Sequence, residues 1–323
     1  MKNLNRMMMI ASLTVTACSS NNPIKQIMSS NEPVSASGTP GEMVVIQNGG
    51  RSPIISTSDA KRWIQLSESE GSSAGKLYGL IATGEWQSAI QEARRNLEIN
   101  PGDENFMTIL GAAFASGRNY EMAGYYGSLV LNTNSQNSDA MNLVGLRIMM
   151  ASENRRGDFD DAIAWFRKAA DSDSTHVAGL LNMGYLQLDL GDARGAGESF
   201  ALASNRCSRC FDSQYGYGVA SSRSMSWANA KNAFEGVLSN NPSRAESQYQ
   251  LALVYKNGLN NQNEAIKLLQ EIVSDADGRF KNASEVKRVA NITLRRLKAG
   301  DRSGPIPEEG TMPHGGEMPA RAL

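Results

Sequence analysis

The stretch GYLQLDLGDARGAGESFALA fills residues 184–203, and GVASSRSMSWANAKNAFEGV at 218–237 repeats its skeleton. Gly184, Ala196, Phe200 and Ala203 follow one another at intervals of 12, 4 and 3, and Gly218, Ala230, Phe234 and Val237 keep those intervals. The alanine of this skeleton recurs as Ala89, Ala123, Ala162, Ala196, Ala230 and Ala265, with spacings of 34, 39, 34, 34 and 35 residues. Self-similarity at such a period predicts a helical solenoid in which each repeat is one pair of antiparallel helices. Small residues on both members of a pair, such as Gly184 and Ala196, let the backbones approach, while Phe200 and Tyr185 fill what space remains. Each pair then exposes an apolar edge that only its neighbour can cover, so stacking is obligatory.

Turn residues punctuate the same register. Gly84, Gly117, Gly157 and Gly191 fall between the two helices of their hairpins, where a positive φ is expected. Pro101 and Pro242, each after an asparagine, are expected to end one hairpin and begin the next. With the surrounding Gly, Ala and Phe positions, these residues resemble the tetratricopeptide repeat family. The resemblance implies an all-α fold, an α-solenoid of about six helical hairpins over 74–278 with a capping helix at 279–299. It is clearest in units two to five. Gly127 and Ala93 stand where the family has a bulky residue, and unit three carries five extra residues around SENRRGD, a lengthened turn holding Arg155 and Arg156.

The ends read differently. Lys2 and Arg6, a short apolar run from Met7 to Val15, and Ala17 before Cys18 form a signal-peptide pattern over 1–17. The run is too short to span about 30 Å of hydrocarbon. Val15-Thr16-Ala17-Cys18 resembles the lipobox of bacterial lipoproteins, which implies that Cys18 is lipidated. Ser19 after it implies sorting to the outer membrane. The expected contact with membrane is through the lipid anchor only. Residues 18–56, rich in Ser, Asn, Gly and Pro, read as a flexible tether with a typical span of about 35 Å. A lead-in segment at 57–73 is expected to be helical. Residues 300–323 have the composition of a disordered tail.

Composition excludes several classes. The chain of 323 residues is 41% hydrophobic and 20% charged, a globular mixture, and its 32 basic and 33 acidic residues nearly cancel. No overall field draws it to nucleic acid. His176 and His314 are the only histidines. No triad order, phosphate loop or metal-ligand cluster is spelled out, so no catalytic residue, metal site, cofactor or small-molecule substrate is expected.

Cys207 and Cys210, in NRCSRCF, admit a structural disulfide, a redox couple or half of a zinc site. The pair falls between units four and five in helical surroundings, and an exported lipoprotein meets an oxidising compartment. With Cys18 assigned to lipid, a disulfide is the economical reading. A zinc site lacks two further ligands, and a thioredoxin-like couple normally follows a strand.

The tetratricopeptide resemblance also implies a concave groove, lined by first helices, that binds a peptide or partner helix. It carries that role to Asn142, Met149, Leu181, Tyr185, Tyr215, Arg223, Tyr249 and Lys256. The expected function is a non-enzymatic scaffold or assembly factor for envelope proteins, facing the periplasm. The stretches CSRCF, AKNAFEGVLSNNP and YQLALVYKNGLNNQNEAI resemble those of gliding-motility lipoproteins, a group of similar build to pilus-assembly lipoproteins. Regulation of peptidoglycan synthesis, outer-membrane protein assembly and a periplasmic thiol oxidoreductase using Cys207 and Cys210 stand as alternatives.

Overall fold

A computed structural model describes residues 73–300, apart from 83, 152–155, 175, 208–209 and 281–282. Expectations for the leader, Cys18, the tether, most of the lead-in, the tail and the lengthened turn at Arg155 lie outside the described residues. Within them are thirteen helices and no strand. They pair as α1 (Ser73–Ala82) with α2 (Trp86–Ile99), α3 (Glu104–Ser116) with α4 (Tyr120–Thr133), and α5 (Ser138–Ala151) with α6 (Arg156–Ser172). The order continues as α7 (Ala178–Asp189) with α8 (Ala193–Arg206), α9 (Phe211–Arg223) with α10 (Trp227–Asn240), and α11 (Ala245–Asn257) with α12 (Gln262–Ser274). Helix α13 (Ser284–Lys298) closes the array.

Local chemistry sets the boundaries. Asp103, Asn119, Asp192 and Asn261 cap α3, α4, α8 and α12, each side chain accepting from backbone amides of the first turn. Asn100 and Asn241 cap the ends of α2 and α10 immediately before Pro101 and Pro242, as the sequence predicts.

The repeating alanines are the tightest points. Ala89, Ala123, Ala162, Ala196, Ala230 and Ala265 are all wholly buried. Phe166, Phe200 and Phe234 are equally enclosed, and each lies against glycine. A Cβ on Gly145 would stand 2.7 Å from Phe166, and one on Gly218 2.7 Å from Phe234. Phe200 is gripped twice, since a Cβ would stand 2.9 Å from it at Gly184 of its own hairpin and 2.4 Å at Gly216 of the next. Tyr185 meets the Phe200 ring edge-on at 4.8 Å. Unit two, which lacks the phenylalanine, solves the same problem otherwise. Leu143 of the following hairpin reaches toward Gly111, where a Cβ would be 2.6 Å away. Gly127 permits this by letting α4 approach the backbone of α5, with Ala140 O 2.8 Å from a would-be Cβ.

Hairpin tips correct part of the glycine reading. Gly84 and Gly191 do have positive φ, 86° and 82°. Gly117 has φ −81°, and the left-handed residue is its successor Arg118 at φ 64°. Gly157 lies inside the first turn of α6. Gly117 serves packing: a Cβ there would lie 2.8 Å from the Trp86 ring. The same device recurs where Trp227 covers Gly258, 2.1 Å from a would-be Cβ. Left-handed residues at the fifth and sixth tips are Met225 and Asn260, at φ 58° and 51°.

The cap begins at Ser284, later than the sequence expectation of 279, because the chain first turns back. Asp275 is left-handed (φ 40°) and its carboxylate accepts from the Phe280 amide at 2.9 Å and from Lys287 Nζ at 2.7 Å. Phe280, Val286, Val289, Leu294 and Leu297 are buried, and Ile292 is half-buried. One hydrophobic core runs from Leu77 to Val254 and a second from Ala245 to Leu297. Helix α11 serves both, with Leu251 and Val254 in the first and Tyr249 and Ala252 in the second.

This packing can be tested at two points. Gly258→Ala is expected to cost about 1–3 kcal/mol by overpacking against Trp227, and combination with Trp227→Ala to recover part of that loss in a double-mutant cycle read by urea unfolding. The Lys287 ammonium, and then the Phe280 amide, hold the Asp275 carboxyl below the usual carboxylate range. Its stabilising effect is complete above the ordinary carboxylate pKa of about 3.9 and is lost as pH falls through the lower folded value. Asp275→Asn is therefore expected to destabilise at pH 7, with the difference from wild type shrinking below about pH 4.

Candidate partner-binding surfaces

The first helices α1, α3, α5, α7, α9 and α11 touch one another along the stack, while the second helices pack on first helices before and after them. The first helices are also the more deeply buried. In α7 every residue from Ala178 to Leu188 is buried, against four residues in α8. Their sequences explain it, since AGLLNMGYLQLD carries apolar residues on every side and such a helix belongs in an interior.

Most of the residues expected to line the groove are enclosed by the stack. Asn142, Met149, Leu181, Tyr185, Tyr215 and Tyr249 are no more than 2% exposed. They complete packing between units instead of forming an open wall. Tyr215 stacks on Phe211 and meets Phe234 edge-on. Tyr249 shares a 3.1 Å hydrogen bond with Thr293 of the cap. Tyr185 has its hydroxyl pKa pushed well up by burial and then by the nearby Asp212 charge, so it remains a neutral phenol. One buried pair is incompletely satisfied. Asn182 Nδ2 on α7 donates to Asn142 Oδ1 on α5 at 2.8 Å, leaving Asn142 Nδ2 and Asn182 Oδ1 without protein partners.

Arg223 and Lys256 are half-buried at hairpin tips. Arg223 Nη1 donates to Leu188 O across adjacent units at 2.6 Å. Lys256 has its pKa lowered by burial and then by the neighbouring Arg296 charge. Beside them are residues absent from the sequence-based assignment: Leu190, Met225 and Leu259, which are 41%, 74% and 38% exposed. Their spacings of 35 and 34 residues are the signal that could have found them, one apolar residue at each of the last three tips.

The cysteines join units four and five. Cys207 caps the end of α8, Cys210 precedes α9 and is wholly buried, and their sulfurs lie at bonding distance, 2.13 Å. The link is fastened on both sides. Arg206 Nη1 donates to Ala170 O, Asp173 O and His176 O of the preceding unit, and Arg244 covers the Phe211 ring at 4.0 Å from the next. The His176 side chain is also structural: it accepts from the Gly179 amide and faces Asp139 at 3.3 Å. Elsewhere, an open recess of about 500 Å³ between α4 and α6 is lined by Leu131, Gln136, Met141, Trp165, Lys168 and Asp171. No sequence feature pointed to it.

Comparison with known proteins agrees with this architecture. Residues 246–277, spanning α11 and α12, match the tetratricopeptide repeat model. This is the sixth unit, one of the two in which the sequence pattern is weakest to the eye. None of the curated proteins matches the chain. The Cut9–Hcn1 hetero-tetramer of the APC/C is similar at 17% identity and a TM-score of 0.57, over 76% of this chain and 46% of that one. PilF of Pseudomonas aeruginosa is similar at 14% identity and a TM-score of 0.52, over 72% and 97% of the two chains. The tetratricopeptide protein TTC0263 of Thermus thermophilus is 15% identical over 61% of this chain and 99% of its own, with a TM-score of 0.49. At these identities the likeness is one of fold, and the fold is that of a tetratricopeptide-repeat solenoid.

A disulfide between Cys207 and Cys210 closes a short loop and in the chain-entropy model contributes roughly 2 kcal/mol. Thiol titration of the denatured, unreduced protein with Cys18→Ser is expected to find no free thiol, and Cys210→Ala to unfold earlier in urea. Two titratable thiols in protein exported from the cytoplasm would contradict the bond.

Proposed function

We propose that the chain is a non-catalytic scaffold that gathers other envelope proteins, anchored to the outer membrane through an acylated Cys18 with its body toward the periplasm. The observation that carries the binding role is the Asn142–Asn182 pair. Two first helices of adjacent units bring together an unmet amide donor and an unmet carbonyl acceptor, the two groups that an extended peptide backbone satisfies at once. Leaving each buried and unpaired costs about 1–3 kcal/mol, which a bound backbone would return. Opening of the first-helix row at this joint is required for entry. The solenoid supports the reading because stacked hairpins give many surfaces on one rigid body. The lipobox and the resemblance to gliding-motility lipoproteins support an envelope machine for motility or pilus assembly as the setting.

The test separates structure from binding. Replacing both members by leucine removes the unmet groups together, which is nearly neutral or stabilising for folding. Full-length wild type captured from detergent-solubilised envelopes is expected to retain an envelope protein in fixed ratio, and Asn142→Leu with Asn182→Leu to release it while unfolding no earlier. Labelled palmitate is expected in wild type and not in Cys18→Ser. A partner held equally by the leucine pair would refute the role given to the amides.

A further inference from the structure

We propose that the tips of hairpins five and six, together with the last turn of α13, form an edge that seats the body on an anionic phospholipid surface. This goes beyond the scaffold role and does not depend on acylation of Cys18.

The edge is continuous. At its outer end, Arg223 of the fifth tip donates to Leu188 O of the fourth. Trp227, directly after the fifth tip, covers Gly258 of the sixth. Gln262 Nε2, just after the sixth tip, donates to Leu297 O at 3.2 Å, which brings the C-terminal turn of α13 alongside. The Arg296 charge is close enough to Lys256 to lower its pKa, so basic groups from both elements share the edge.

Basic residues predominate in the three stretches of sequence that make it, with Glu235 reaching it only through the Tyr255 hydroxyl at 3.4 Å. Residues 221–227, 255–263 and 294–300 contain Arg223, Lys256, Arg295, Arg296 and Lys298 and no acidic residue. The nearest acids in sequence are Glu264, which accepts from Lys267 Nζ at 3.1 Å, and Asp301, which directly follows the third stretch. The fourth tip is different, for Asp189 and Asp192 flank Leu190, and the basic stretch begins only at Arg223. A chain whose charges cancel overall thus carries five basic residues in these three short stretches of its last units.

Apolar side chains project from the same edge. Met225 is 74% exposed and holds a left-handed backbone (φ 58°) that a non-glycine residue adopts at a cost. It stands between the exposed Ser224 and Ser226. Leu259 projects from the next tip at 38% exposed. Successive tips carry single protruding side chains on small polar turns. A fluid bilayer accepts such isolated protrusions beside basic groups, whereas a protein partner would need a matching socket for each. The apolar side of α13 is buried against α11 and α12, so the cap itself offers its basic C-terminal turn and not a hydrophobic face.

The test uses the full chain with Cys18→Ser, so that no acyl chain contributes. With the edge residues intact, this protein is expected to sediment with vesicles of phosphatidylethanolamine and phosphatidylglycerol. Retention should fall at least tenfold on pure phosphatidylcholine and weaken as salt rises. Arg295→Gln with Arg296→Gln should lower the partition constant about fivefold per charge. Met225→Asn with Leu259→Ser should reduce it as well, and asparagine suits the left-handed turn, so loss of fold does not explain the result. Helical content by circular dichroism is the check on folding. Absence of binding to anionic vesicles, equal binding to neutral ones, or binding untouched by both pairs of substitutions would overturn the proposal. So would loss of an acidic protein partner in these variants with vesicle binding intact.

Discussion

In units three to five a second-helix phenylalanine needs glycine on first helices, and the middle of the stack is built around that requirement. Phe200 occupies space that Gly184 and Gly216 leave open, so one aromatic side chain locks its own hairpin and docks the next. A β-carbon at either glycine would collide with the ring. The bond between hairpins is therefore a shape constraint more than a polar one, and it operates between neighbours only. Such an array gains stability from unit and interface terms that add along its length. Its ends are the exposed problem. Helix α13 meets it at one end by burying Val289, Leu294 and Leu297 against the last hairpin and holding the intervening turn through Asp275 and Lys287.

The sequence made the hairpins legible because glycine, alanine and phenylalanine at fixed intervals report close helix approach directly. It was less informative about sides. The same small and large pattern is compatible with a first helix that lines an open groove and with one enclosed by its neighbours. What separates them is the chemistry of the remaining positions: AGLLNMGYLQLD leaves few polar residues to face water. That signal was present, but the assignment of Leu181, Tyr185 and Tyr215 to a groove rested on family geometry. Glycine was ambiguous for a related reason. Gly117 looks like a turn residue, yet Trp86 accounts for it, and Arg118 supplies the left-handed backbone. A sequence position names a missing side chain without naming what fills the space.

Function divides along the same line. Exposed large apolar residues are sparse on the first helices: Leu190, Met225 and Leu259 stand at tips, and Ile99, Tyr125 and Leu202 on second helices. Some tip residues pack, as Gly117 and Gly258 do against Trp86 and Trp227, but Met225, 74% exposed, is not required by the stack. Glycine at that φ would remove the strain, as Gly84 and Gly191 do at other tips. The side chain thus stands at a cost in backbone energy, as that of Arg118 does at the second tip.

The Asn142–Asn182 joint is the complementary case, an interior site held against packing preference. A pair of leucines would fill it with nothing left unsatisfied, as Leu143 does beside Gly111 one layer away. A half-satisfied pair is worse for folding than either a complete network or an apolar core. It lies between units three and four, where Gly179 lets α7 approach the backbone of Phe166 and where the His176–Asp139 contact and the carbonyls gathered by Arg206 also join the neighbours. The unmet amides therefore sit at a joint held by packing as well as by polar contacts, so the stack carries their cost without being loosened by it.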